Sequence, residues 1–250
     1  METQSVVKAE KNLPQVFDSA WGTEGVDKRD ILIPKLLVMQ GLSDLVTEEK
    51  AQMGDIVDSV TGEVLGSCRE KDYKPVPVIP IMTFKTWVVF KKSGNGQTEF
   101  KEIIPMTAGN ENLPREDEEF VRDRCINFYV LNANRTDELP YLLSFRRTSY
   151  RAGAKLATYF TKCELAARRG RPVPPAARIW NLGGSKQSND KGTFYVFDVE
   201  QAGETPKEAI QTAFEWYQTL RTQSTKVDHS DLSGGVTDDT AATDAVDDNF

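Results

Sequence analysis

Tryptophan flanked by lysine or arginine on an alternating strand is the residue pattern with the most chemical content in this chain. Trp87 shares a face of the β-rich stretch 75–91 with Lys85 and Lys91, and Trp180 follows Arg178 at the same two-residue spacing. Aromatic faces for bases to stack on, with cations beside them to track phosphates, are what binding of single-stranded nucleic acid requires. Tyr129, Arg146 and Tyr195 occupy comparable strand positions, and Arg147, Tyr150, Arg151, Lys155 and Lys186 extend the charge. Phe84, Phe128, Phe145 and Phe194 are assigned to the core. A plainer reading stands beside this one: a strand aromatic is more often buried than presented, and Arg146 and Arg147 could simply pair with acidic loop residues.

Catalytic constellations mostly fail. The single histidine, His229, sits in an acidic terminal segment, which argues against His-based triads and zinc sites. No Walker A loop occurs, and Gly94-Asn95-Gly96 lacks the third glycine and the following helix of a dinucleotide fingerprint. Carboxylates for a metal-dependent nuclease could be drawn from Asp72 with Glu99 and Lys101, or from Asp44 with Glu48, Glu49 and Lys50. Two unrelated matches show how cheap that pattern is. Cys68, Cys125 and Cys163 have no metal-ligand spacing and fit reduced thiols. No catalytic residue, metal or cofactor is expected, and the chain is read as a binding protein.

The end of the chain carries a different signal. Residues 227–250 hold seven aspartates and no lysine or arginine, and they close on Asp247-Asp248-Asn249-Phe250. These aspartates account for the whole net charge of −7, so residues 1–226 are balanced. From Val121 to Glu200 there are fourteen basic and seven acidic residues, a basic middle facing an anionic end. The tail resembles the acidic C-terminal arms of bacterial and bacteriophage single-stranded DNA-binding proteins. It departs from the bacterial form, which has Ile-Pro before the Phe, and so sits closer to the phage type. The resemblance implies a disordered tail that competes with DNA for a basic groove, and it implies that Asp247, Asp248 and Phe250 recruit replication proteins such as a polymerase, helicase or nuclease.

The elements that must position these residues read as follows. Residues 1–70 form an N-terminal extension with a hairpin over Gly54 to Gly66, turning at Thr61-Gly62. Strands are expected over 75–91, 125–133 and 140–148, a helix over Ser149 to Arg169, and strands over 177–182 and 192–200 around a flexible loop from Gly183 to Lys191. Ala152, Leu156, Phe160, Cys163 and Ala167 make the apolar stripe of that helix, and Arg151, Lys155, Lys162 and Arg169 make a basic one. Gly170 and the prolines after it stop it. Thr205-Pro206-Lys207-Glu208 is a capping box for a last helix over 205–226.

This order resembles that of an OB-fold, which implies a five-stranded barrel over residues 71–204. The fold expectation is therefore mainly β with helices, an α+β OB-like barrel followed by a C-terminal helix and the tail. The functional expectation is a cytoplasmic phage protein that binds and protects single-stranded DNA during replication or recombination, with no membrane partner and room for a homodimer. The alternatives are a strand-annealing recombination mediator, a metal-dependent nuclease, or a virion or scaffold protein.

Overall fold

The computed structural model describes residues 32–93, 97–190, 192–222 and 226–227. The polar N-terminal arm and the acidic tail lie outside them.

A strand of seventeen residues, β5 (Val76–Lys92), is the spine of a six-stranded antiparallel sheet. Along one side it pairs with β7 (Phe120–Asn132) from Val78 to Lys91. Its other side is shared: β9 (Arg178–Asn189) takes Val76–Val78, and β6 (Thr98–Pro105) takes Thr86–Lys92. Between these two partners sits Pro80, which has no N–H to donate, and the register against β7 slips between Pro80 and Met82. A proline is tolerated there because nothing pairs with β5 on that side. The sheet continues from β7 to β8 (Tyr141–Arg146) and from β9 to β10 (Gly192–Glu204).

Strands β8 and β10 are edges of this sheet, which is not closed into a barrel. The expected OB-like barrel is thus overturned in favour of a mixed α/β fold built on an open antiparallel sheet. Two things produce the difference. Thr98–Pro105, unassigned in the sequence reading, is a strand, and β5 is interior with neighbours on both sides. The expected loop from Gly183 onward is also strand, because β9 and β10 run on as a hairpin that pairs Asn189 with Gly192.

Alternation along the strands sends side chains to two cores. On one face, Phe128, Val130, Leu143, Phe145, Leu182, Phe197 and Val199 pack with Leu156 of α2 (Tyr150–Arg168). Leu36, Ile56 and Leu65 join them from a small sheet ordered β2 (Leu36–Val38), β3 (Asp55–Asp58), β4 (Val64–Ser67). On the other face, Ile79, Ile81, Leu131 and Leu142 pack with Ala209, Ala213 and Leu220 of α3 (Lys207–Thr222). The expected hairpin is present as β3 and β4: Asp58 Oδ1 accepts from the N–H groups of Val60 and Thr61, and Gly62 turns the chain at φ +72°.

Helix α2 ends as its sequence indicates. Gly170 adopts φ +73°, its N–H bonds Ala167 O, and the Arg171 N–H bonds Ala166 O. The capping box does not form. The Thr205 hydroxyl is buried with no hydrogen-bond partner, while its N–H donates to Ala177 O at 3.2 Å. Before the small sheet, β1 (Leu32–Ile33) pairs in parallel with β11 (Lys226–Val227), and a single helical turn, α1 (Asp44–Thr47), follows β2.

Candidate nucleic-acid interface

Trp87 lies on β5 where β6 and β7 flank it, opposite Ile104 on one side and Arg124 on the other. The direct pairing of antiparallel strands puts Lys85, Trp87, Val89 and Lys91 on one face with Phe120, Arg122 and Arg124. Arg124 sits 5.3 Å above the indole, and Lys101 and Arg122 lie over the Phe120 ring at 4.1 and 5.5 Å. The face is cationic and aromatic, as the strand pattern suggests, yet Trp87 is only 1 % exposed. The cause is the segment from Met106 to Glu119, which crosses this face: Asn110 O accepts from the indole N–H at 2.9 Å, and Glu111 O from Arg124 at 3.2 Å. Lys85 and Lys91 remain exposed.

The other aromatic candidates are placed elsewhere. Trp180 is 5 % exposed within the α2-side core, its ring 5.4 Å from Tyr159 and its N–H without a partner. Tyr129 is 7 % exposed and belongs to the α3-side core, 5.4 Å from the Phe84 ring. As the rings stand, neither can stack a base, nor can Trp87, which corrects the expectation that these three form outward platforms. Two positions along a strand does restore the face, but that face is the packed one. Tyr150 and Tyr195 are half-buried against the α2-side core. Tyr195 also has its backbone N–H and C=O both bonded to the side-chain amide of Gln40, at 3.0 and 2.9 Å.

Arg146 and Arg147 converge on Asp123 of β7, a carboxylate 2 % exposed. Arg147 Nε reaches it at 2.6 Å and Arg146 at 3.8 Å, and both guanidiniums lie over the Phe90 ring, at 5.7 and 5.8 Å. These two arginines are therefore paired, by a strand residue rather than by an acidic loop. Arg178 is likewise held, by Glu204 at 2.8 Å. Near the small sheet a polar cleft lined by Gln52, Asp55, Ser67, Asp72 and Lys74 contains Arg69, whose guanidinium is engaged by Asp55 and Asp72.

The continuous exposed charge is on α2. Ala152, Gly153, Leu156 and Cys163 are buried, so Arg151, Lys155, Lys162 and Arg169 face outward at or just past the helix. Their spacings of four, seven and seven residues correspond to about 6, 10 and 10 Å along the axis. Lys155 meets Asp198 at 3.4 Å, and among the described residues no ion pair holds Arg151, Lys162 or Arg169. Lys186 is exposed on β9, paired in register with Tyr195 of β10.

The structure thus gathers Lys85, Trp87 and Lys91 at one place, Arg146 and Arg147 at a second, and Arg151 and Lys155 at a third. It does not join the two tryptophans in one trough. Arg122 and Arg124 are not singled out by the sequence reading, and Lys101 enters it only beside the nuclease carboxylates; the alternation in Phe120-Val121-Arg122-Asp123-Arg124 carries the signal for the two arginines once the strand start is moved five residues upstream. Asp247, Asp248 and Phe250 lie outside the described residues. Among those described, no group of three or more His, Cys, Asp or Glu could hold a metal ion, and no helix is long and apolar enough to cross a membrane.

Compared with known families, residues 8–226 match the family model described as Pam3 phage gp34-like protein. No curated protein and no solved structure matches the chain.

Proposed function

The chain belongs to the Pam3 phage gp34-like protein family, and from that premise we propose that it binds and protects single-stranded DNA, with little sequence preference, during phage DNA replication or recombination. The observation that carries this reading is the outward line of Arg151 and Lys162 on α2 and Arg169 at its C-cap, left without ion pairs by the described residues. A row of guanidinium and ammonium groups on one rigid helix suits successive phosphates, and it binds by releasing counterions. Lys155 lies on the same line, and Lys186 on β9 is a further exposed cation assigned to the DNA-binding surface. The aspartates of residues 227–250 act as a competitor for it, and once DNA displaces them, Asp247, Asp248 and Phe250 recruit a replication protein through charge and one apolar side chain.

The test is a salt titration of oligo-dT binding with three proteins: the full chain, the variant R151E/K162E/R169E, and a chain ending at Val227, which keeps β11. Three lost phosphate contacts should make the slope of log K against log salt shallower by about 2. Removing the tail should tighten binding at low salt. No saturable binding by any of the three, or identical slopes for the full chain and the triple variant, would exclude this function for the α2 face.

A further inference from the structure

The geometry points to a second nucleotide site on the same protein: Trp87 with Arg122 and Arg124, a base-stacking position that the acidic segment 106–119 occupies until DNA displaces it. The inference rests on the single-stranded DNA reading above and adds where a base is held and what regulates access.

What holds the segment down is a run of oxygen acceptors. Asn110 O takes the Trp87 indole N–H, Glu111 O takes Arg124, Pro114 O takes Arg122 at 3.2 Å, and Asp117 Oδ2 takes Arg122 at 2.6 Å. Lys92 adds bonds to Asp117 O at 2.7 Å and to Glu116 at 2.5 Å. Phosphate oxygens and base carbonyls offer the same acceptor chemistry to the same donors. The segment also matches a nucleic-acid strand in charge, with Glu111, Glu116, Asp117, Glu118 and Glu119 against Arg115 alone. Among its residues none is buried, so little apolar burial opposes its opening. The sheet beneath is a different matter: Val88, Phe90 and Cys125 pack on its opposite face with Phe100, Ile103 and Val121, and would keep the site in shape with the segment lifted.

An ordinary surface loop that happens to pack on a tryptophan would show the same contacts, but it would not yield to DNA. Two measurements separate the cases. In hydrogen exchange on the full chain, adding oligo-dT should speed exchange across 106–122, including the Arg122 amide that bonds Arg115 O. In binding assays at low salt, E116Q/D117N, which removes two ion pairs to the sheet, should bind oligo-dT about tenfold more tightly. E118Q/E119Q removes equal charge from carboxylates that make no such pair, and it should gain far less. If the full chain binds oligo-dT while exchange over 106–122 stays unchanged or slows, the gated site is wrong and the α2 reading stands. Equal gains from both double variants would mean only charge repulsion and would equally overturn the site. Absence of binding by every variant would overturn both readings.

Discussion

Asp123 is the residue whose removal should be felt most. It is enclosed on β7 with Arg146 and Arg147 upon it, and Arg147 is held at φ +49°, a left-handed conformation that costs a non-glycine residue about 1–2 kcal/mol. Replacing Asp123 with Ala would leave two largely covered guanidiniums over Phe90 without a counter-charge. A loss of about 3–5 kcal/mol is expected from breaking such a pair, measured by urea denaturation. The thiols make a second expectation at this scale. Burial, and then the charge of Asp55, pushes Cys68 up to about 12, and burial pushes Cys125 up to about 11. Both should resist a thiol reagent at pH 8 until the protein is unfolded. Because the folded chain keeps these protons longer than the unfolded one, their contribution is complete below about pH 9 and declines as pH rises toward 11–12. Denaturation midpoints at pH 8 and 10.5 should fall in that order, and the C68A/C125A variant should fall less steeply.

Among the elements, α2 was the easiest to read and shows why. Its apolar stripe repeats at helical spacing over about four turns, it has a glycine stop, and burial follows the expected Ala152, Leu156 and Cys163, while Ala167 at the end of the stripe is exposed. One residue of the buried face carries information that periodicity does not. A Cβ on Gly153 would lie 2.6 Å from Phe145 Cβ and 2.9 Å from its Cγ. Alanine would raise helix propensity by about 1 kcal/mol, but the overlap costs about 1–3 kcal/mol, so Gly153→Ala should lower stability in thermal unfolding. Strand β6 was illegible for the opposite reason. Thr98–Pro105 alternates weakly, and its exposed Glu99, Lys101 and Glu102 look like loop residues until pairing with β5 is known. The β9–β10 hairpin beyond Gly184 hides likewise, since the polar run Ser185 to Asn189 gives no apolar beat.

At the level of the whole molecule, local pattern located most of the strands but not their neighbours. The order of elements from Lys74 fits a barrel as well as an open sheet, and the decision lay in pairing: β5 serves β9 at one end and β6 at the other, which leaves β8 and β10 as edges. The same gap explains the tryptophans. A two-residue spacing correctly joins Trp87 to its cations, but whether that face meets water depends on a segment whose contact, Asn110, lies twenty-three residues downstream, and nothing in the strand itself encodes it. Charge was the most portable signal, because the outward stripe of α2 needs only its own helix to be placed.

The Gln40 amide also covers part of a sheet edge. By answering both the N–H and the C=O of Tyr195, it stands in for one residue of a neighbouring strand on the rim of β10. That rim is thirteen residues long, and elsewhere it carries exposed charged groups that disfavour pairing with another strand: Glu200, Asp198 with Lys155, and Glu204 with Arg178. The glutamine plug works differently: it occupies the hydrogen-bonding groups themselves and needs no charge. Edge-to-edge addition of a second copy is thus opposed by two independent devices, one of charge and one of hydrogen bonding.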